Sequence, residues 1–182
     1  MSSRITTHSG SMVDPLNFRE EDARIDDICW ALSNQCRFSG HVEDFYSVGQ
    51  HSVLVSCLVD GDDQTRFDAL MHDASEAYLQ DVARPLKEDP YFGKPYRGAE
   101  ERVQRTISQV FGLTWPIPAA VKEVDMRMCI TERRDLMPFH VPGSWDREWE
   151  ALVPYDRVVK AWTPRRTRRE FMLRFEKLRR GT

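Results

Sequence analysis

Arg66-Phe67-Asp68-Ala69-Leu70-Met71-His72-Asp73-Ala74-Ser75-Glu76-Ala77-Tyr78 is the stretch on which the reading of this chain turns. Phe67, Leu70 and Met71 recur at the i, i+3, i+4 spacing of a buried helix face. The helix runs into a polar doublet, His72-Asp73, that is costly to bury without a partner. A divalent metal ion is one such partner, because imidazole nitrogen and carboxylate oxygen are ordinary metal ligands. A lone His-Asp doublet is also common at fraying helix ends, so the rest of the chain has to decide between the two.

Working outward toward the N-terminus, Ser47 to Val59 predicts a helix with Ser47 as N-cap and Val48, Leu54, Val55 and Leu58 on its buried side. His51 lies one turn before Leu54 and Val55 and therefore faces inward. The turn residues Asp60-Gly61-Asp62-Asp63 predict an antiparallel helix hairpin, which would bring His51 toward His72. Further back, Ile25, Ile28, Cys29 and Leu32 form one face of a helix predicted from Glu20 to Ser33. Arg37-Phe38-Ser39-Gly40-His41 follows as a polar loop. It reads equally as plain surface or as an anion-holding arginine beside a ring that packs on a ligand. Residues 1–20, punctuated by Gly10, Asp14 and Pro15, predict an irregular strap.

Toward the C-terminus, Glu76 and Asp81 are the next acids, and Val82 to Lys87 is a basic turn broken by Pro85. Residues 88–95 read as loop, and Tyr96 to Phe111 as a helix burying Val103, Ile107 and Val110. A further helix, about Pro118 to Met137, carries Val121, Val124, Asp125, Met128 and Cys129 on its inner stripe. A carboxylate at Asp125 needs a partner there. Glu132 either stands behind the metal ligands or pairs with Arg133 or Arg134. Pro138 to about Pro154 reads as loop with Trp145 and Trp149. A basic helix begins at Thr163-Pro164, with threonine as N-cap and proline at N1, and docks by Phe171, Met172, Phe175 and Leu178.

The 182 residues suit one domain, with a strap over 1–20, a core over about 21–137 and a loop plus basic helix over 138–182. No apolar run is long enough to span a membrane, and the N-terminus lacks the apolar core of a signal peptide, so cytoplasmic residence is the expectation. Cys29, Cys36, Cys57 and Cys129 contain no Cys-x-x-Cys, and three of them fall in apolar helical patterns, which predicts reduced thiols. A net charge of −3 gives no reason to name nucleic acid as the main partner.

The ordered set His51, His72-Asp73, Asp125 resembles the HD-domain metal-dependent phosphohydrolases, and most closely the branch of bacterial 5′-deoxynucleotidases and phage deoxynucleotide triphosphohydrolases. Arg37 to His41, Phe45 to Val53, His72 to Glu76, and Asp81 with Pro85-Leu86-Lys87 resemble that branch's signature segments in order, over roughly residues 25 to 137. The resemblance implies an all-α helical bundle with one divalent transition metal (Co, Mn, Fe, Ni or Zn) at its centre, held by His51, His72, Asp73 and Asp125. It implies catalytic roles for Glu76 and Asp81 and phosphate contacts for Arg37 and Lys87. Phe38 stands where relatives often carry a tryptophan against the sugar. Arg84 stands where close relatives often have a small polar residue, a change that would suit a longer phosphate tail. The substrate implied is a deoxynucleoside 5′-monophosphate. A triphosphate is the alternative and would give Arg84, Lys94 or Arg97 an added task; a non-catalytic nucleotide- or nucleic-acid-binding protein is the alternative of another class. A homo-oligomer, dimer or higher, is also implied by the resemblance.

Overall fold

A computed structural model describes residues 4–139, 149 and 151–180. Trp145 and most of the stretch read as loop after Phe139 lie outside them. Helices carry almost all of the regular structure: α1 (Ile25–Asn34), α2 (Val48–Leu58), α3 (Asp63–Leu70), α4 (Glu76–Leu79), α5 (Arg84–Glu88), α6 (Gly93–Phe111), α7 (Ala119–Leu136) and α8 (Pro164–Arg179). The described residues include one sheet, an antiparallel pair β1 (Ile5–Thr6) and β2 (Met12–Val13). None of the helices is long and apolar enough to cross a membrane.

α2 is the axis of the molecule. Val48 through Ser56 are all buried, so the helix is covered on every side rather than lying on a surface. Its polar residues consequently need internal partners. Ser47 caps the first turn by accepting from Gln50 N. The Gln50 amide donates to Lys160 O and accepts from Trp162 N, both at 2.8 Å, which ties the approach to α8 onto α2. Gly49 sits at a close approach: a Cβ there would meet Leu32 carbonyl carbon at 3.2 Å and Thr167 Cγ2 at 3.0 Å.

α8 packs on α1, α2 and α3. Phe171, Phe175 and Leu178 join Ile28, Leu32, Val48, Phe67 and Leu70 in one core. The core therefore extends well past Met137, and the basic C-terminal helix is part of it. A second apolar cluster, including Tyr46, Leu54, Val55, Val121 and Met128, joins α2 to α7.

Other boundaries also move. The strap is built rather than irregular: Asp27 of α1 accepts from Ser9 N, Ser9 Oγ and Thr7 Oγ1 at 2.7–2.9 Å, sewing down the β1–β2 hairpin. The first predicted helix is split, with a 3-10 turn at Glu20–Asp22 before α1. α6 begins at Gly93, inside the predicted loop, and Val110 is exposed rather than buried. The basic turn after Val82 is the short helix α5. All four cysteines are free, but Cys57 is exposed and only Cys29 is a buried core thiol.

Candidate metal centre

The helix of the opening stretch stops at Leu70, so His72 and Asp73 sit in a tight turn between α3 and α4 and not on a continuous helix. Gln104, buried on α6, braces that turn. Its amide donates to Met71 O at 2.8 Å and accepts from Ser75 N at 2.9 Å. The turn points His72 toward His51 on α2, and the two ring centroids are 5.3 Å apart. Asp125 enters from α7.

Four ligand atoms meet there. His51 Nε2 lies 2.9 Å from Asp125 Oδ1 and 3.8 Å from Asp73 Oδ2. His72 Nε2 lies 3.2 Å from Asp73 Oδ2 and 3.8 Å from Asp125 Oδ1. His51, His72 and Asp125 form the tightest trio, with ligand atoms within 4.8 Å of one another. Asp73 stands outside that trio while keeping its short approach to His72. Both imidazoles are buried, whereas the carboxylates reach the surface, with Asp73 21% and Asp125 33% exposed at the side chain. The site therefore has a histidine floor and a carboxylate mouth.

The tautomers follow from the partners of Nδ1. His72 Nδ1 is 2.8 Å from Ala69 O, a carbonyl that can only accept, so Nδ1 carries a proton. His51 Nδ1 is 2.6 Å from Glu132 Oε1. Burial alone would raise the Glu132 carboxyl, but His51 and Arg37 together with hydrogen bonds from His51 and Tyr46 bring it below its ordinary value, so it is an ionised acceptor. With both Nδ1 atoms donating, both Nε2 atoms are left buried without a hydrogen bond. Two such nitrogens facing two carboxylates call for a cation. The spacing fits one ion, since ligands about 2.0–2.2 Å from a metal are about 3 Å apart when at right angles. Engagement of the remote ring nitrogen by a carboxylate or carbonyl is the usual arrangement around metal-ligating histidine.

Cations and acids surround this centre. The Arg37 guanidinium is buried, with Nε 3.1 Å from Glu132 Oε2 and NH1 3.7 Å from Asp73 Oδ2. Phe38 and Ser39 both have positive φ (55° and 52°), a strained conformation for non-glycine residues. The Arg37 guanidinium is 5.6 Å from the Phe38 ring centroid. Glu76, at the start of α4, is buried; Lys87 Nζ is 3.4 Å from its Oε1, while Oε2 has no partner. Burial, then the neighbouring carboxylates Asp73 and Asp81, push the Glu76 carboxyl well above its ordinary range. Lys87 also donates to Glu100 at 2.7 Å. Asp81 is half-buried just beyond α4 and close enough to act on both Glu76 and Arg37. Arg84 pairs with Glu88 and stacks over Trp149, 4.6 Å from the ring centroid.

The sequence left Glu132 between two roles. It turns to His51, Tyr46 and Arg37, while Arg134 pairs with Asp135. The signal was present: Glu132 follows Asp125 by two helical turns and shares the inward stripe of α7. Tyr46 and Gln104 carried no such signal.

No family model matches the chain. The sequence is 44% identical over 132 residues to the uncharacterized protein YfdR of Escherichia coli strain K12, covering 72% of this chain and 71% of that protein. It is 34% identical over 121 residues to an uncharacterized protein of Rhodobacter capsulatus, covering 63% of this chain and 61% of that protein.

Proposed function

The chain belongs to the family of Escherichia coli YfdR, and we propose that it is a metal-dependent phosphohydrolase of the HD type acting on deoxynucleoside 5′-monophosphates in the cytoplasm. The observation that carries this reading is the convergence of two buried, hydrogen-bond-free Nε2 atoms on two carboxylates. His51, His72, Asp73 and Asp125 would hold one divalent transition metal, and mixed nitrogen and oxygen donors leave Mn, Fe, Co, Ni or Zn open. When bound, such an ion supplies Lewis-acid polarisation of a phosphoryl group and a water of lowered pKa.

The chain's own groups divide the remaining work. Arg37, beside Asp73, and Lys87, beside Glu76, offset charge on the non-bridging phosphate oxygens as the P–O bond breaks. Glu76 keeps its proton to an unusually high pH and has an unpartnered oxygen, which suits delivery of a proton to the leaving 5′-oxygen. Burial, then Asp73, then Asp81 raise the Glu76 carboxyl, so Asp81 adds to a shift that burial begins. Phe38 offers a ring beside Arg37 for the sugar.

Two observations favour this over its rivals. Arg84, which a triphosphate tail would use, lies against Glu88 and Trp149. The basic residues of α8 are largely engaged with the protein itself: Arg174 donates to Ser56, and Arg168 and Arg166 stack on Trp30 and Trp162. That argues against a free nucleic-acid-binding stripe. Phosphate release measured across deoxynucleoside mono- and triphosphates, with Mn²⁺ or Co²⁺ and with chelator, tests the reading. Metal-dependent release of inorganic phosphate from monophosphates, lost in His72→Ala, is expected. Turnover that survives both chelator and His72→Ala overturns it.

A further inference from the structure

We propose that Glu132 is the positioning residue that joins the two halves of the site, holding His51 for the metal with one carboxylate oxygen and Arg37 for the phosphate with the other. The inference rests on the metal-dependent reading above and goes beyond it by making metal retention and phosphate binding depend on one buried group.

Glu132 has no solvent exposure. Its Oε1 faces His51 Nδ1 at 2.6 Å and accepts from Tyr46 Oη at 2.7 Å. Its Oε2 accepts from Arg37 Nε at 3.1 Å. All three partners are donors, so the carboxylate is used as an acceptor on both oxygens. The two histidines are therefore unequal. His72 donates to a neutral carbonyl, Ala69 O, while His51 donates to an anion. On the other oxygen, Arg37 is held in a fixed pose whose NH1 lies 3.7 Å from Asp73 Oδ2. The guanidinium thus stands between the residue that orients one metal ligand and a second metal ligand. A purely structural ion pair would not need to be shared in this way.

Glutamine at this position cannot serve both sides. It has one acceptor oxygen and one NH₂, and the NH₂ must face a donor whichever way the amide is turned. Either His51 loses the partner that fixes its proton on Nδ1, or Arg37 is released.

The test titrates metal-free wild type and Glu132→Gln with Mn²⁺ by calorimetry, then titrates the Mn²⁺-loaded proteins with inorganic phosphate. Glu132→Gln should weaken Mn²⁺ binding by about 10–100-fold and weaken phosphate binding at saturating Mn²⁺. Arg37→Gln should weaken phosphate by about tenfold, as expected for a lost charge-assisted hydrogen bond, while Mn²⁺ affinity stays near wild type. Unchanged Mn²⁺ affinity in a folded Glu132→Gln overturns the positioning role while leaving the metal site standing. Phosphate binding indifferent to both substitutions overturns the Arg37 half. Absence of Mn²⁺ binding by the wild type overturns the metal reading itself. If Glu132→Gln does not fold, imidazole ¹⁵N spectra of the wild type with and without Zn²⁺ decide. His51 should keep its Nδ1 proton while Nε2 responds to the ion, and the reverse pattern overturns the proposal.

Discussion

Glu76 carries two opposed consequences in one side chain. Its buried carboxyl, raised first by burial and then by Asp73 and Asp81, is suited to proton delivery and unfavourable to the fold when ionised. Glu76→Gln keeps the shape and removes the proton. Its chemical step in single-turnover kinetics should fall by about 10²–10⁴-fold, with metal and substrate still bound. The sign of the stability effect follows from linkage. A folded-state pKa above the ordinary 4.5 means the folded protein binds more protons, so stability is lost as pH rises from 4.5 through the raised value. Metal-free Glu76→Gln should therefore melt above wild type at neutral pH, with the gap closing toward pH 4. A chemical step within about threefold of wild type, far short of acid–base assistance, rules out the catalytic role. The two phosphate cations should separate in a similar way. Lys87→Ala should lower kcat/KM with little loss of fold. Arg37→Ala should also destabilise, by about 3–5 kcal/mol, because it strips a buried carboxylate, Glu132, of its counter-charge. Equal melting temperatures for the two variants would refute that distinction.

At the scale of the element, the turn from Met71 to Ser75 is where sequence and structure part. The helices around it were legible. Ser47 and Thr163 cap as their side chains dictate, and His51 is buried as its spacing from Leu54 and Val55 predicts, although α2 is covered on every side and buries its neighbours too. The end of the helix at the polar doublet was legible, but the turn that follows was not, because the bracing residue, Gln104, lies on α6. Non-local hydrogen bonds of this kind leave no periodic trace. The partners of Glu132 and the hairpin at Ile5–Val13 were hidden for the same reason, and two-residue strands are too short to show alternation. Gln104→Ala orphans Met71 O and Ser75 N, each at a cost of about 1–3 kcal/mol. It should weaken metal binding as well as lower the melting temperature, because the turn it braces carries two of the proposed ligands. Gly49→Ala is the matching control: it lies two residues from His51 on α2, but its added Cβ faces Leu32 and Thr167 rather than a proposed ligand. Crowding against Leu32 and Thr167 should cost about 1–3 kcal/mol with metal affinity intact. Loss of metal binding in Gly49→Ala but not in Gln104→Ala would reverse this assignment.

For the whole molecule, the proposed ligands come from three places: α2, the turn before α4, and α7. α7 joins the bundle largely through the second apolar cluster, in which Val121 and Met128 meet Leu54 and Val55. An ion at His51, His72, Asp73 and Asp125 would tie α7 to the rest and relieve the repulsion among acceptors that share the site. Binding to the folded state alone stabilises by RT ln(1 + [L]/Kd), about 2.7 kcal/mol at a free metal concentration of a hundred times Kd. In a domain of 182 residues each kcal/mol shifts the melting temperature by about 2–4 °C. Removal of a bound metal by chelation should therefore lower the melting temperature by roughly 5–11 °C. The shift should grow with the logarithm of metal concentration and vanish in His72→Ala. Thermal scans of metal-free and Mn²⁺-loaded protein, alongside elemental analysis for one ion per chain, check both parts. A melting temperature indifferent to Mn²⁺, or a shift that persists undiminished in His72→Ala, would show that the convergence of His51, His72, Asp73 and Asp125 is not where the ion binds.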